Sequence, residues 1–187
     1  LIFSLSMALL YSLALFAEPV GTLTMESGTL KLRRNKIDTI YTDPGLSIPV
    51  ESGDEIQTGF RTRVTIEMTE QSDSIELFPN TFFTVADVTE EKTEVSMPAG
   101  KAKFKVDTSK KLMSGKKRRF RLRTANAVIG VKGTHFLVAV IGVNTNLLTL
   151  SGIVSMASIL APDIEVVVKA NQASKLRANR RPTPPVL

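Results

Sequence analysis

Arg61-Thr62-Arg63-Val64-Thr65-Ile66-Glu67-Met68 alternates strictly: Thr62, Val64, Ile66 and Met68 fall on one side of an extended chain, Arg61, Arg63, Thr65 and Glu67 on the other. Successive side chains of a strand point to opposite faces, so this period of two, rich in β-branched residues, marks a half-buried strand. Residues 101–106 repeat it, with Ala102, Phe104 and Val106 opposite Lys101, Lys103 and Lys105. Residues 119–124 do so again, with Phe120 and Leu122 set against Arg119, Arg121 and Arg123.

Working outward, turn-forming residues punctuate the chain at short intervals: Ser27-Gly28, Asp43-Pro44-Gly45, Ser52-Gly53-Asp54, Ser72-Asp73, Pro98-Ala99-Gly100, Ser151-Gly152 and Ala161-Pro162-Asp163. No segment after residue 17 sustains a helical i, i+3, i+4, i+7 pattern. Short alternating runs between such turns predict an all-β domain of twisted antiparallel strands, in two packed layers or a closed β-roll, preceded by a signal helix. Residues 134–141 are apolar on both faces and read as a central strand covered on both sides.

The 17 residues at the start carry no charge and are almost wholly apolar, with Ala14 and Ala17 ahead of Glu18-Pro19. As a helix they would span about 25 Å, short of a bilayer core of about 30 Å. Their pattern predicts a secretory signal peptide over 1–17, and so an exported protein of the periplasm or cell envelope of a bacterium. A retained anchor is the alternative. The domain is then expected over 18–178, followed by a disordered, basic, Pro-rich tail over 179–187.

Composition narrows the chemistry. The chain of 187 residues has no cysteine, one histidine (His135), no tryptophan and two tyrosines. That excludes disulfide frameworks, thiolate metal sites, cysteine nucleophiles and a His-based metal cluster, and it leaves little surface for stacking nucleic-acid bases. Charge is strongly uneven. Residues 18–99 carry 7 Lys/Arg against 15 Asp/Glu, whereas residues 100–135 carry 12 against 1. A basic block following an acidic half points to internal pairing, to guarded strand edges, or to an anionic partner.

Several pieces in order resemble the FecR domain family. These are Gly53-Asp54-Glu55-Ile56-Gln57-Thr58, the run Ser74-Ile75-Glu76-Leu77-Phe78-Pro79-Asn80-Thr81, and Thr124 through Ala127-Val128-Ile129-Gly130-Val131-Lys132-Gly133-Thr134-His135-Phe136, with a later Ser151-Gly152-Ile153-Val154. The departure is Ala170-Asn171-Gln172 where the family tends to Ala-Gly-Gln. Asn tolerates the left-handed backbone that Gly would supply. The resemblance implies a non-enzymatic, periplasmic binding or signal-sensing β domain that contacts an envelope protein and needs no cofactor or metal. In the family's best-known architecture, flanking segments contact a sigma factor and an outer-membrane receptor. Only 17 apolar residues precede this domain and the tail is short, so a stand-alone exported module is expected.

The motif residues Gly53, Asp54, Thr58, Gly133, Thr134 and Phe136 are expected to make turns and core rather than touch a ligand. Asp54, Glu55, Glu90 and Glu91 are the acids available for hydrolysis or calcium, and a solvated acidic face is the reading adopted for them. Lys101, Lys103, Lys105, Arg119, Arg121 and Arg123 form the candidate face for an anionic partner. If their two strands paired antiparallel, all six would share one surface with neighbours about 5 Å apart. A loop carrying Lys110, Lys111, Lys116 and Lys117 would join them. An envelope scaffold or adhesion protein bound to anionic lipid or glycan is therefore the alternative function, with membrane contact through headgroups and no role for nucleic acid.

Overall fold

The computed structural model describes residues 18–69, 72–107, 118–178 and 180–187. The expected signal helix over 1–17 and the four loop lysines lie outside the described residues. No helix among the described residues is long and apolar enough to cross a membrane. Fourteen strands follow in order: β1 (Gly21–Ser27), β2 (Leu30–Arg34), β3 (Ile37–Tyr41), β4 (Ser47–Val50), β5 (Glu55–Thr58), β6 (Arg63–Met68), β7 (Ser74–Leu77), β8 (Phe82–Val88), β9 (Lys92–Val106), β10 (Arg119–Thr124), β11 (Ala127–Ile141), β12 (Asn144–Ser158), β13 (Ala161–Lys169) and β14 (Ala173–Leu176). The all-β expectation holds.

Three strands, β9, β11 and β12, are each 15 residues long and change neighbours halfway. The first part of β9 pairs with β8 and β10, its second part with β7 and β11. The first part of β11 pairs with β10, its second with β9. Along β12 the partners are β14 first and β13 later. Hydrogen bonding thus joins all strands in one sheet folded over on itself. One layer runs β3-β2-β5-β8, then the halves of β9, β10, β11 and β12, to β13. The other runs β4-β1-β6-β7, then the remaining halves of β9, β11 and β12, to β14. The sheet is open, ending at β13 and β4, so the closed roll is set aside in favour of two layers.

Glycines make the folds. Gly100 (φ 106°), Gly133 (φ 61°) and Gly152 (φ 80°) sit inside β9, β11 and β12 in the left-handed region. The β11–β12 ladder shifts register on both sides of His135. Such bends let a strand leave one layer and enter the next. Pro98-Ala99-Gly100 and Ser151-Gly152 are therefore not terminal turns, and Ala161-Pro162-Asp163 opens β13 instead of separating strands.

Both layers contribute to one core. Phe104, from the second part of β9, stacks on Phe136 of β11 with centroids 4.8 Å apart. It also meets Phe120 of β10 edge-on at 6.0 Å and Phe83 of β8 at 6.5 Å, both from the opposite layer. All four rings are fully buried, and each is worth about 1.5–3 kcal/mol of burial. Thr134, Phe136, Val138 and Val140 face this core, whereas His135, Leu137 and Ala139 are half-buried and Ile141 is exposed. The segment is central in its sheet but covered on one face only. Its outward apolar residues lie against neighbouring strands rather than under a third layer.

The Pro-rich C-terminus, expected as a disordered tail, lies along β14. Thr183 N–H donates to the Lys175 carbonyl, Ala173 and Val186 exchange backbone hydrogen bonds, and Pro182 is buried. Proline is compatible with an edge because its missing N–H need not enter the ladder.

Candidate functional site

The motif residues occupy structural positions. Asp54, expected with Glu55, Glu90 and Glu91 on a solvated acidic face, is instead buried at 1% exposure because Arg34 supplies its counter-charge. It accepts from Arg34 Nε and Nη2 at 2.8 and 2.6 Å and from the Glu51 N–H at 2.9 Å. Gly53 N–H donates to the Val85 carbonyl, which ties this turn to β8. Thr58 Oγ1 donates to the Phe78 carbonyl and accepts from the Thr81 N–H, locking β5 to the turn after β7. Gly133 and Thr134 lie at the bend of β11, and Phe136 belongs to the ring stack.

The six candidate cations do not share a surface. β9 and β10 pair in parallel, with Arg119 opposite Lys92, Arg121 opposite Glu94 and Arg123 opposite Ser96. Lys101, Lys103 and Lys105 lie beyond the Gly100 bend, where Lys103 and Lys105 oppose Glu76 and Ser74 of β7. The bend sends the lysine row to the outer face of one layer and the arginine row to that of the other. Local alternation carries no information on this, because it fixes which face a side chain takes and not which strand lies alongside.

The acidic half partly compensates the basic block. Lys103 Nζ lies 3.9 Å from Glu76, Arg121 3.2 Å from Glu94, and Lys92 2.6 Å from Asp87. Lys101 sits over the Phe78 ring at 4.7 Å. Among the described residues, no carboxylate lies within ion-pair distance of Arg119, Arg123 or Lys132.

Two polar clasps were not visible in the sequence. Arg118 is buried and donates to both Asp73 oxygens, to Thr93 Oγ1 at 2.8 Å and to the Asp107 carbonyl at 3.0 Å. Thr93 is near the start of β9 and Asp107 just past its end, so this guanidinium holds the folded strand shut. Asn126 does the same for β12. Its amide donates to the Val143 and Leu176 carbonyls, its side-chain oxygen accepts from Thr145 Oγ1 at 2.6 Å, and its own carbonyl accepts the Ile159 N–H. Partners of the two clasps lie 11 to 50 residues away, so nothing local announces them.

A groove of 530 Å³ opens on the outer face where β9, β10, β11 and β12 run side by side. Lys92, Arg119, Arg121 and Lys132 rim it, with Glu94, Gly130 and Ser155 also in the lining. Gly130 leaves the floor without a side chain between Arg121 and Ser155, its two cross-strand neighbours. Such a surface can hold an anion and offers no nucleophile paired with a base. Among the described residues, no cluster of three or more His, Cys, Asp or Glu could hold a metal ion. His135 is kept below the usual histidine range by burial first, then by Lys103 and Lys105.

A family model described as "FecR protein" matches residues 54–155. No curated protein matches the chain. Two crystal structures described as a "putative anti-sigma factor" from Parabacteroides distasonis ATCC 8503 share its fold, with TM-scores of 0.57 and 0.56 and 19% identity. The alignment covers 69% of this chain and 57% of that one, so the chain spans little more than half of the neighbour's length.

Proposed function

The chain belongs to the FecR protein family, and we propose that it works as a non-enzymatic signal-sensing module of the bacterial cell envelope, recognising a protein partner after export. The observation that carries this reading is the family match over residues 54–155, which takes in strands of both layers and the glycine bends of β9, β11 and β12. The likeness to anti-sigma-factor structures supports a place in signal transduction. The polar side chains of the matched motifs are spent on holding the fold, as with Asp54 on Arg34 and Thr58 on Phe78 and Thr81. Recognition through an assembled surface suits that arrangement better than bond chemistry.

The test has two arms. A fusion of the full chain to an export-dependent reporter enzyme reads location, and activity of the reporter only in the envelope fraction is expected. In vivo photo-crosslinking from the exposed outer face then reads the partner. One protein crosslinked reproducibly and retained at high salt supports the reading; turnover of a cell-wall polymer by the purified domain overturns it.

A second reading is favoured by the groove. Its basic rim faces solvent, and Arg119 and Lys132 have no carboxylate within ion-pair distance among the described residues. An envelope scaffold or adhesion role through anionic lipid or glycan would use that surface. Binding abolished by modest salt and by Arg121→Glu identifies it.

A further inference from the structure

We infer that the groove over β9–β12 is a binding site for a phosphomonoester group. This rests on the second reading above, that the basic face takes an anion, and it names the anion. Three cations stand abreast on neighbouring strands. Lys92 pairs directly with Arg119 in the ladder, and Lys132 lies one step beyond the Phe120–Val131 pair, on the far side of Arg119. Like charges set side by side in a sheet repel, at a cost that an anion seated among them removes. Lys92 has Asp87 at 2.6 Å, which leaves Arg119 and Lys132 with their charge unmet among the described residues.

Two unmet cations call for a dianion. A phosphomonoester carries about two negative charges near neutral pH and three strong acceptor oxygens, where a carboxylate carries one charge and two oxygens. Ser155 adds a third donor. Its hydroxyl reaches the Gly130 carbonyl only at 3.5 Å, the limit of a hydrogen bond, so it is available to a ligand. The volume of 530 Å³ exceeds a bare ion and leaves space for the organic group esterified to the phosphate. Gly130 makes the floor accessible. A Cβ there would stand 2.8 Å from Ser155 Oγ, which a rotation of the serine relieves, so Gly130→Ala narrows the groove without altering its charge.

The experiment is titration of the full chain by calorimetry with glycerol 3-phosphate, inorganic phosphate and citrate, alongside sedimentation with phosphatidylcholine vesicles with and without phosphatidic acid. Saturable binding of glycerol 3-phosphate is expected, weakened at least tenfold by Arg119→Gln, by Lys132→Gln and by Gly130→Ala. Lys101→Gln, on the other layer, should leave it within twofold. Vesicle binding without binding of the soluble ester would identify a lipid headgroup as the source of the same chemistry; the reverse would identify a free metabolite. Citrate binding as tightly as the phosphoester overturns the ligand class while leaving an anion-binding face. Equal loss in Lys101→Gln overturns the groove as the site. No binding of any anion or vesicle overturns both the site and the reading beneath it.

Discussion

Gly152 of β12 lies against Gly133 of β11 so closely that a Cβ on Gly152 would stand 2.5 Å from the Gly133 carbonyl oxygen, and as close to Thr134 Cγ2. Both glycines have positive φ and mark the place where two adjacent strands leave one layer for the other. Gly152→Ala therefore meets a strained backbone and a backbone clash together. A loss of about 2–4 kcal/mol is expected in urea denaturation. Gly142→Ala, also at positive φ but with open space around it, should cost about 1 kcal/mol.

Removing one partner of the Arg118–Asp73 pair leaves a buried charge. Arg118→Met should cost about 3–5 kcal/mol. Adding Asp73→Asn should recover part of that loss, since the uncompensated carboxylate is gone. Urea midpoints of the two variants check this, and a double variant less stable than the single would contradict it.

Thr134 is buried, and its hydroxyl has no hydrogen-bond partner among the described residues. An unsatisfied buried hydroxyl costs about 1–3 kcal/mol. Thr134→Val keeps the shape and removes the polar atom, so the melting temperature should rise.

His135 titrates below the ordinary histidine value because burial and the Lys103 and Lys105 charges disfavour its protonated form. Between the folded pKa and the unfolded value of about 6.5, the unfolded chain binds more protons. Stability therefore rises with pH through that window, is complete above the unfolded value and is lost as pH falls through the window. Denaturation at pH 5 and pH 7.5 should show this difference shrinking in His135→Gln.

How far these features can be read from the sequence depends on the range of the interaction behind them. The alternation of residues 61–68 and 119–124 marks strands because burial on one face imposes period two locally, although the first begins only at Arg63, with Arg61 in a turn at φ 61°. Asp54, Thr58 and Phe136, expected in turns and core from short motifs, make hydrogen bonds and ring contacts to residues 3 to 32 positions away. A glycine inside a strand and a glycine ending one look alike, so Gly100 and Gly152 read as turns. The parallel pairing of β9 with β10 depends on a crossover, and the Arg118 and Asn126 clasps join residues far apart in the chain. Those relations exist only after the layers close, and the groove exists only through them.

Everything proposed for the outer face requires that β10 and the first part of β12 meet across the core at Thr124 and Thr145, whose hydroxyl oxygens lie 2.7 Å apart. The chain has no cysteine, so Thr124→Cys/Thr145→Cys tests this contact without interference. Oxidation should give a quantitative intramolecular disulfide in the folded protein, and mass spectrometry of the non-reduced digest should find the two peptides joined. Free thiols or intermolecular links after oxidation would contradict the folded-over arrangement.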